Sequence, residues 1–117
     1  MAIQQEIGNK GEKTAENYLL KIGYEILERN FRAKKAEIDI ICKHANTLIF
    51  VEVKTRTSTK FGNPEEFVNQ AKSAKVIEGA EVYMIENNWK GAIRFDIISI
   101  LVRNDNVDVK HFEDAFY

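Results

Sequence analysis

Residues 36–56, AEIDIICKHANTLIFVEVKTR, constrain the fold more than any other part of the chain. Two runs rich in Ile, Val, Leu and Phe, EIDIIC and TLIFVEVKTR, flank the short polar segment KHAN. Runs of β-branched and aromatic residues bounded by turn residues read as strands, and two of them this close read as a hairpin. Yet Glu37, Asp39, Glu52 and Lys54 sit among the apolar residues. Charges are costly to bury and are rarely left unpaired. Three carboxylates and an amine in the most sheet-like segment need a physical reason.

The rest of the chain frames this hairpin. Across residues 11–22, Ala15, Tyr18, Leu19 and Ile22 recur at helical spacing, and Gly23 stops the helix. Residues 24–31 read as a first strand, and RAKK as a basic turn. Beyond the loop TSTKFG, Asn63 as N-cap, Pro64 at the first helical position and Glu66 at the reciprocal capping position begin a second helix. It is expected to run to about Glu86, with Ala71, Ala74, Ile77, Ala80 and Met84 on one face. AIRFDIISILV reads as a fourth strand and VDVKHF as a fifth. The order α-β-β-β-α-β-β predicts an α/β sandwich. A mixed central sheet is flanked by helices, its meander antiparallel and a helix crossing over before the fourth strand.

A chain of 117 residues, 44% hydrophobic and 30% charged, suits a single soluble domain over residues 1–117. No apolar run is long enough to cross a bilayer, and MAIQQEIGNKGEK lacks the layout of a signal peptide. The single cysteine, Cys42, excludes an internal disulfide and reads as a packing residue, so a reducing cytoplasm is the expected setting. The net charge of −1 hides a local excess: residues 29–60 carry eight Lys and Arg against three acids. Such a patch attracts polyanions whatever the total charge, although a solvated Lys-rich hairpin has the same composition.

Residues two apart on a strand share a face, which puts Glu52, Lys54 and Arg56 on one face and Val51 and Val53 on the other. Glu37 and Asp39 likewise share a face. If the hairpin closes around Ala45 and Asn46, Asp39 faces Glu52 and Glu37 faces Lys54. Facing carboxylates repel, and a divalent cation between them turns repulsion into binding. Lys54 could then orient a water or neutralise charge on a phosphate. Glu12, on the core-facing stripe of the first helix, is a further acid in search of a partner, a part Glu16 could fill instead. The alternative is an ion-pair ladder of Glu37 with Lys54, and of Asp39 and Glu52 with Arg56 or Lys43.

Asp39, a hairpin turn and then Glu52-Val53-Lys54, inside α-β-β-β-α-β, resembles the PD-(D/E)XK nuclease superfamily. That superfamily has the restriction-endonuclease-like fold and includes archaeal Holliday-junction resolvases. The blocks GEKTAENYLLKIGYEIL, AEIDII, FVEVKTR, FGNPEE and RFDIISI, with the Lys72 region, resemble the YraN family of small bacterial proteins over most of residues 8–100. Ile38 stands where the superfamily has Pro, and Ala36 where the family usually has Gly. The resemblance implies a Mg²⁺- or Mn²⁺-dependent endonuclease acting on DNA, selective for branched structures. It implies Asp39 and Glu52 as metal ligands, Lys54 at the attacking water, and Glu12 and Glu37 as auxiliaries. Arg32, Lys34, Lys35, Arg56 and Lys60 would contact phosphates, with Lys72 and Lys75 either joining them or forming a solvated face. A non-cutting nucleic-acid-binding module and a protein-interaction scaffold are the rivals.

Outside the hairpin, Arg94 and Asp96 share a strand face and are expected to pair. His44 and His111 lie far apart with no ligand pattern and are expected at the surface. Thr55, Thr57 and Ser58 add hydroxyls near the basic residues. Phe112, Phe116 and Tyr117 either cap the core or form a homodimer contact.

Overall fold

Seven elements follow one another: α1 (Ala2–Lys21), β1 (Glu25–Ala33), β2 (Ala36–His44), β3 (Thr47–Arg56), α2 (Gln70–Glu86), β4 (Ala92–Arg103) and β5 (Asn106–Phe112). This computed structural model describes residues 2–57, 70–103 and 106–115, and only the backbone of residues 2–9 and 70–73. The helix start at Asn63, Pro64 and Glu66, the phosphate contact Lys60, and Phe116 and Tyr117 lie outside the described residues. α1 begins well before residue 11, where its apolar stripe starts.

The strands form one five-stranded sheet in sequence order. β1, β2 and β3 are antiparallel neighbours, β3 and β4 are parallel, and β5 returns antiparallel to β4. The sheet is therefore mixed as expected, because the connection carrying α2 returns the chain in the same direction. The β2–β3 hairpin closes at Ala45 and Asn46, both at positive φ (50° and 63°), the twist a two-residue turn needs.

Helices cover the sheet on both faces. Ala15 and Leu19 of α1 pack with Ile40, Cys42, Ile49, Val51, Ile98 and Ile100. Val76, Ala80 and Tyr83 of α2 pack with Ile38, Ile41, Leu48, Phe50, Phe95 and Ile97. Strict alternation along β3, with Leu48 and Phe50 against Ile49 and Val51, places the two clusters on opposite faces. The α2 stripe is rotated from the one expected. Ala80 is fully buried and Ile77 and Met84 pack against the cluster as expected, but Ala74 is exposed and Val76 and Tyr83 are buried. An alanine stripe has less apolar area to hide than Val and Tyr, and the larger side chains decide the orientation. Ile22, also expected on a buried stripe, lies past the last turn of α1 and is 41% exposed.

Both helices end in the same hydrogen-bond pattern. Tyr24 N–H donates to Leu19 O and Gly23 N–H to Leu20 O, with Gly23 at φ 95°. Trp89 N–H donates to Met84 O and Asn88 N–H to Ile85 O, with Asn88 at φ 51°. These are Schellman ends, which need a residue tolerant of the left-handed region.

The alternation breaks in β2. Ile38 belongs to the α2 cluster, but Ile40 and Cys42 belong to the α1 cluster. Their partners on β1 are Phe31 for Ile38 and Arg29 for Ile40, and between those partners lies Asn30 at φ 51°. The kink turns β1 and β2 over together, so Asp39 stands where β2 changes faces. Glu37 and Asp39 nevertheless line one cavity, although strict alternation is broken between Ile38 and Ile40.

Candidate functional site

The β2–β3 ladder has the anticipated register, but it stops at Ile40 opposite Val51. One residue further, where Asp39 and Glu52 would pair, the strands fork. The Asp39 carboxylate fills the gap, and its Oδ2 accepts a 2.7 Å hydrogen bond from the Val53 amide. A side chain has replaced the next rung, which fixes Asp39 at the mouth of the fork. The cavity there has a volume of about 230 Å³ and is lined by Glu37, Asp39 and Glu52 together with Lys35 and Lys75. Glu52 is only 8% exposed. Lys54 Nζ stands 3.3 Å from Glu52 Oε1, both side chains largely buried. The expected cross-strand pair of Glu37 with Lys54 does not form, because the fork separates the strands; Glu37 pairs with Arg32 at 3.1 Å.

The electrostatics follow from this crowding. Burial, then the Glu52 charge, push the Asp39 carboxyl up to about 7; the Val53 amide opposes them, and Glu12 and Glu37 add to them. Glu12 is raised in turn, first by burial and then by Glu37 and Glu52, against a hydrogen bond from Asn30. Like charges held together out of water hold their protons. Glu16, the other candidate on α1, is a structural residue. Arg29 grips it with two hydrogen bonds of 2.6 and 2.7 Å, which lower its carboxyl despite burial.

Glu12 reaches this site because α1 lies against β3 with nothing between. A methyl group on Gly11 would overlap the Thr55 hydroxyl and crowd Thr55 Cβ and Cγ2 at 3.0 and 3.1 Å. On the other side, Gly79 of α2 leaves room for the Ala36 methyl, which stands 3.0 Å from where a Cβ on Gly79 would be. That space accommodates the alanine found where a glycine was anticipated.

The basic residues divide. Lys34 and Lys35 form the β1–β2 turn, with Lys34 at φ 57° and paired to Glu78 of α2 at 3.4 Å. Lys75, on α2, faces them across the cavity mouth. Arg32 flanks the same turn, and Arg56 closes β3, its Nη1 donating to Thr55 O. Lys72 lies on α2, and its side chain is outside the described residues. Lys43, a partner for the carboxylates in the ion-pair alternative, instead lies 5.6 Å over the Trp89 ring. Among the described residues, no cluster of three or more His, Cys, Asp or Glu side chains could hold a metal ion by itself. The half-buried Asp39 and buried Glu52 carboxylates nevertheless fit Mg²⁺, which takes one or two and fills its other positions with water and phosphate.

Residues 11–100 match the model of the Uncharacterised protein family UPF0102. A UPF0102 protein of Christiangramia forsetii is 44% identical over 117 residues, covering 100% of this chain and 98% of its own length. The UPF0102 protein FP2501 of Flavobacterium psychrophilum is also 44% identical over the same span, with 100% and 98% covered. One from Caldicellulosiruptor saccharolyticus is 43% identical over 116 residues, 97% of this chain and 98% of its own. The chain belongs to the UPF0102 family.

This UPF0102 chain carries a second charged centre on the α1 face of the sheet. Asp96 is 0% exposed. It accepts two 2.9 Å bonds from Arg94, one of 2.7 Å from His111 Nε2 and one of 3.1 Å from the Asp114 amide. Arg94 also donates to the Tyr24 hydroxyl at 2.8 Å, and the Tyr18 hydroxyl donates to His111 Nδ1 at 3.1 Å. The expected Arg94–Asp96 pair is present. His111 is not at the surface: its side chain is 6% exposed, because a fully buried Asp96 needs a donor from β5. His44 is exposed and stacks on Tyr24 with centroids 4.6 Å apart. Phe112 packs against the α2 cluster, which settles its part of the aromatic tail as core.

Sequence reasoning missed Asn30 and Gly11, and it named Thr55 for its hydroxyl but not for its contact with Gly11. Asn inside a strand pattern was a readable signal, because Asn tolerates the left-handed region better than other residues with a side chain. Gly11 and Thr55 carried none, since their contact joins residues far apart in the UPF0102 sequence. Among the described residues, no helix is long and apolar enough to cross a membrane.

Proposed function

We propose that this chain is a metal-dependent DNA endonuclease of the PD-(D/E)XK type, with the restriction-endonuclease-like fold and a preference for branched substrates. One observation carries the reading: Asp39, seated in the strand fork beside Glu52, is pushed up to about 7 by burial and its like-charged neighbours. A structural carboxylate would be compensated. This one stores a repulsion that a divalent cation relieves.

In this reading Asp39 and Glu52 hold the ion through carboxylate oxygens. Bound Mg²⁺ or Mn²⁺ would supply Lewis-acid polarisation of the phosphodiester and a more acidic water. Lys54, 3.3 Å from Glu52, donates to the attacking water or to the phosphoryl oxygens where charge builds. Glu12 and Glu37 keep the pocket acidic and serve the site from outside the ligand pair. Arg32, Lys34, Lys35 and Arg56 form the phosphate-binding rim, and Lys60 and Lys72 remain candidates for further phosphate contacts. The Lys54–Glu52 pair favours a second reading, a nucleic-acid-binding module whose charges are structural.

Paired substitutions separate the two. Asp39→Ala should abolish nicking of four-way and flap DNA with Mn²⁺ and weaken cation binding in calorimetry. Lys54→Ala should abolish nicking with cation binding retained. DNA affinity measured without metal should change little in both. A wild-type protein that binds DNA but takes up no divalent ion and nicks no branched, single-stranded or linear DNA would establish the binding module.

A further inference from the structure

The carboxylate cavity has a neighbour. A second hollow of about 450 Å³ is lined by Lys34, Lys35, Ala36, Lys75 and Glu78. Lys35, Ala36 and Lys75 line both spaces, so the two share a wall. One compartment is rich in carboxylates and the other in ammonium groups.

The lysines differ in what they already hold. Lys34 is engaged by Glu78. Among the described residues, neither Lys35 nor Lys75 makes an ion pair, although both line the cavity that contains Glu37, Asp39 and Glu52. Glu37 is taken by Arg32 instead. Lys35 belongs to the β1–β2 turn and Lys75 to α2, so two separate elements bring exposed ammonium groups to one border. An ammonium is a mobile point charge that suits a phosphate oxygen.

We propose that Lys35 and Lys75 form an anion subsite for the phosphate next to the scissile one on the same nucleic-acid strand. The assignment rests on the nuclease reading of the carboxylate cavity. A ligand that spans the two adjacent compartments with an anionic group in each must carry at least two negative charges a short distance apart. A nucleic-acid strand carries one per nucleotide. The subsite lies on one side of the carboxylates only, towards the β1–β2 turn and α2. It therefore gives the bound strand a direction, leaving the cut bond at the fork.

The test uses short single-stranded deoxyoligonucleotides in which one phosphate on either side of the cleaved bond is replaced by a neutral methylphosphonate. With the wild type and Mn²⁺, neutralising one side should lower kcat/KM about tenfold or more, the scale of a charged hydrogen bond, and the other side should matter little. Lys35→Ala/Lys75→Ala should lose that asymmetry, and Lys35→Arg/Lys75→Arg should restore it. The salt slope of binding to the unmodified strand should flatten in the alanine pair by about 0.7 per lysine. Cleavage with equal sensitivity on both sides in wild type and variant overturns the subsite and leaves the nuclease reading standing. Binding whose salt slope flattens in the alanine pair, without any cleavage, keeps an anion subsite and overturns the nuclease reading. An unchanged salt slope in the alanine pair, or no binding by the wild type, overturns the subsite.

Discussion

Asp39 and Asp96 are two withdrawn aspartates on one sheet, and their surroundings move them in opposite directions. Burial raises both. For Asp96, hydrogen bonds from His111, Arg94 and the Asp114 amide outweigh it, and the carboxyl ends below its ordinary value. For Asp39, a single backbone amide stands against burial and three other carboxylates, and the carboxyl ends near 7. The difference is not depth, since Asp96 is the more deeply buried of the two. It is the count and sign of partners. A fold that supplies two guanidinium bonds to one aspartate uses it as a fastener, and the aspartate surrounded by acids is the one to which the proposed function assigns a cation.

Breaking the fastener should have the largest effect. Arg94→Ala leaves the fully buried Asp96 charge without its main counter-ion and should cost about 3–5 kcal/mol in urea unfolding at neutral pH. A cost below about 1 kcal/mol would remove the distinction between the two centres.

The opposite sign is expected at the fork. Unfolded, Asp39 ionises near its ordinary 3.8; folded, it ionises near 7. Between those values the folded state holds the extra proton, so this group's contribution falls as pH rises and the full penalty is present above about 7. Asp39→Asn escapes it and can still accept the Val53 amide. Without divalent ions it should gain about 1–3 kcal/mol over the wild type at pH 8 and nothing near pH 4. Cation affinity of the wild type should rise with pH through about 7, since the ion displaces the proton.

A subtler change sharpens the comparison from the helix side. Gly11→Ala forces α1 away from Thr55 and should cost about 1–3 kcal/mol as an overpacked contact. Because Glu12 retreats with the helix, the Asp39 carboxyl should titrate lower, as read by NMR. Gly11→Ala/Thr55→Gly, which moves the methyl from strand to helix, should restore both. The smallest effect serves as a control. Ala45 holds φ 50° in the hairpin turn, a strain unrelated to either aspartate. Ala45→Gly should stabilise the fold by up to about 1 kcal/mol and leave the Asp39 titration unmoved.

Much of this was legible in the sequence because hydrophobic runs of strand length and two glycine- or asparagine-ended helices report on local structure. The hairpin register followed from KHAN alone, and Arg94–Asp96 from their spacing. Three features were misread. The face change at Asn30 breaks the alternation on which strand reading depends, so Glu37 was assigned Lys54 instead of Arg32. His111 was placed outside because its partner Asp96 is fifteen residues away on another strand. The α2 stripe was read through Ala74 instead of Val76 and Tyr83, although side-chain size sets which face is buried. Of these, the His111 miss concerns a contact between strands that sequence spacing does not encode.

The parallel junction of β3 with β4 also orders events in time. Glu12, Glu37, Asp39 and Glu52 all come from α1 and the β1–β2–β3 meander, whose pairings close short loops. Asp96 and its partners from β4 and β5 can join only after the chain has passed through α2, a much longer closure. Folding should therefore nucleate in the meander, with stopped-flow measurements showing slower folding for variants of the β2–β3 turn and mainly faster unfolding for Arg94→Ala. On a ribosome the acidic fork emerges first. The half that gathers the like charges is synthesised before the strands that hold Asp96, and for that interval it depends on its own apolar contacts.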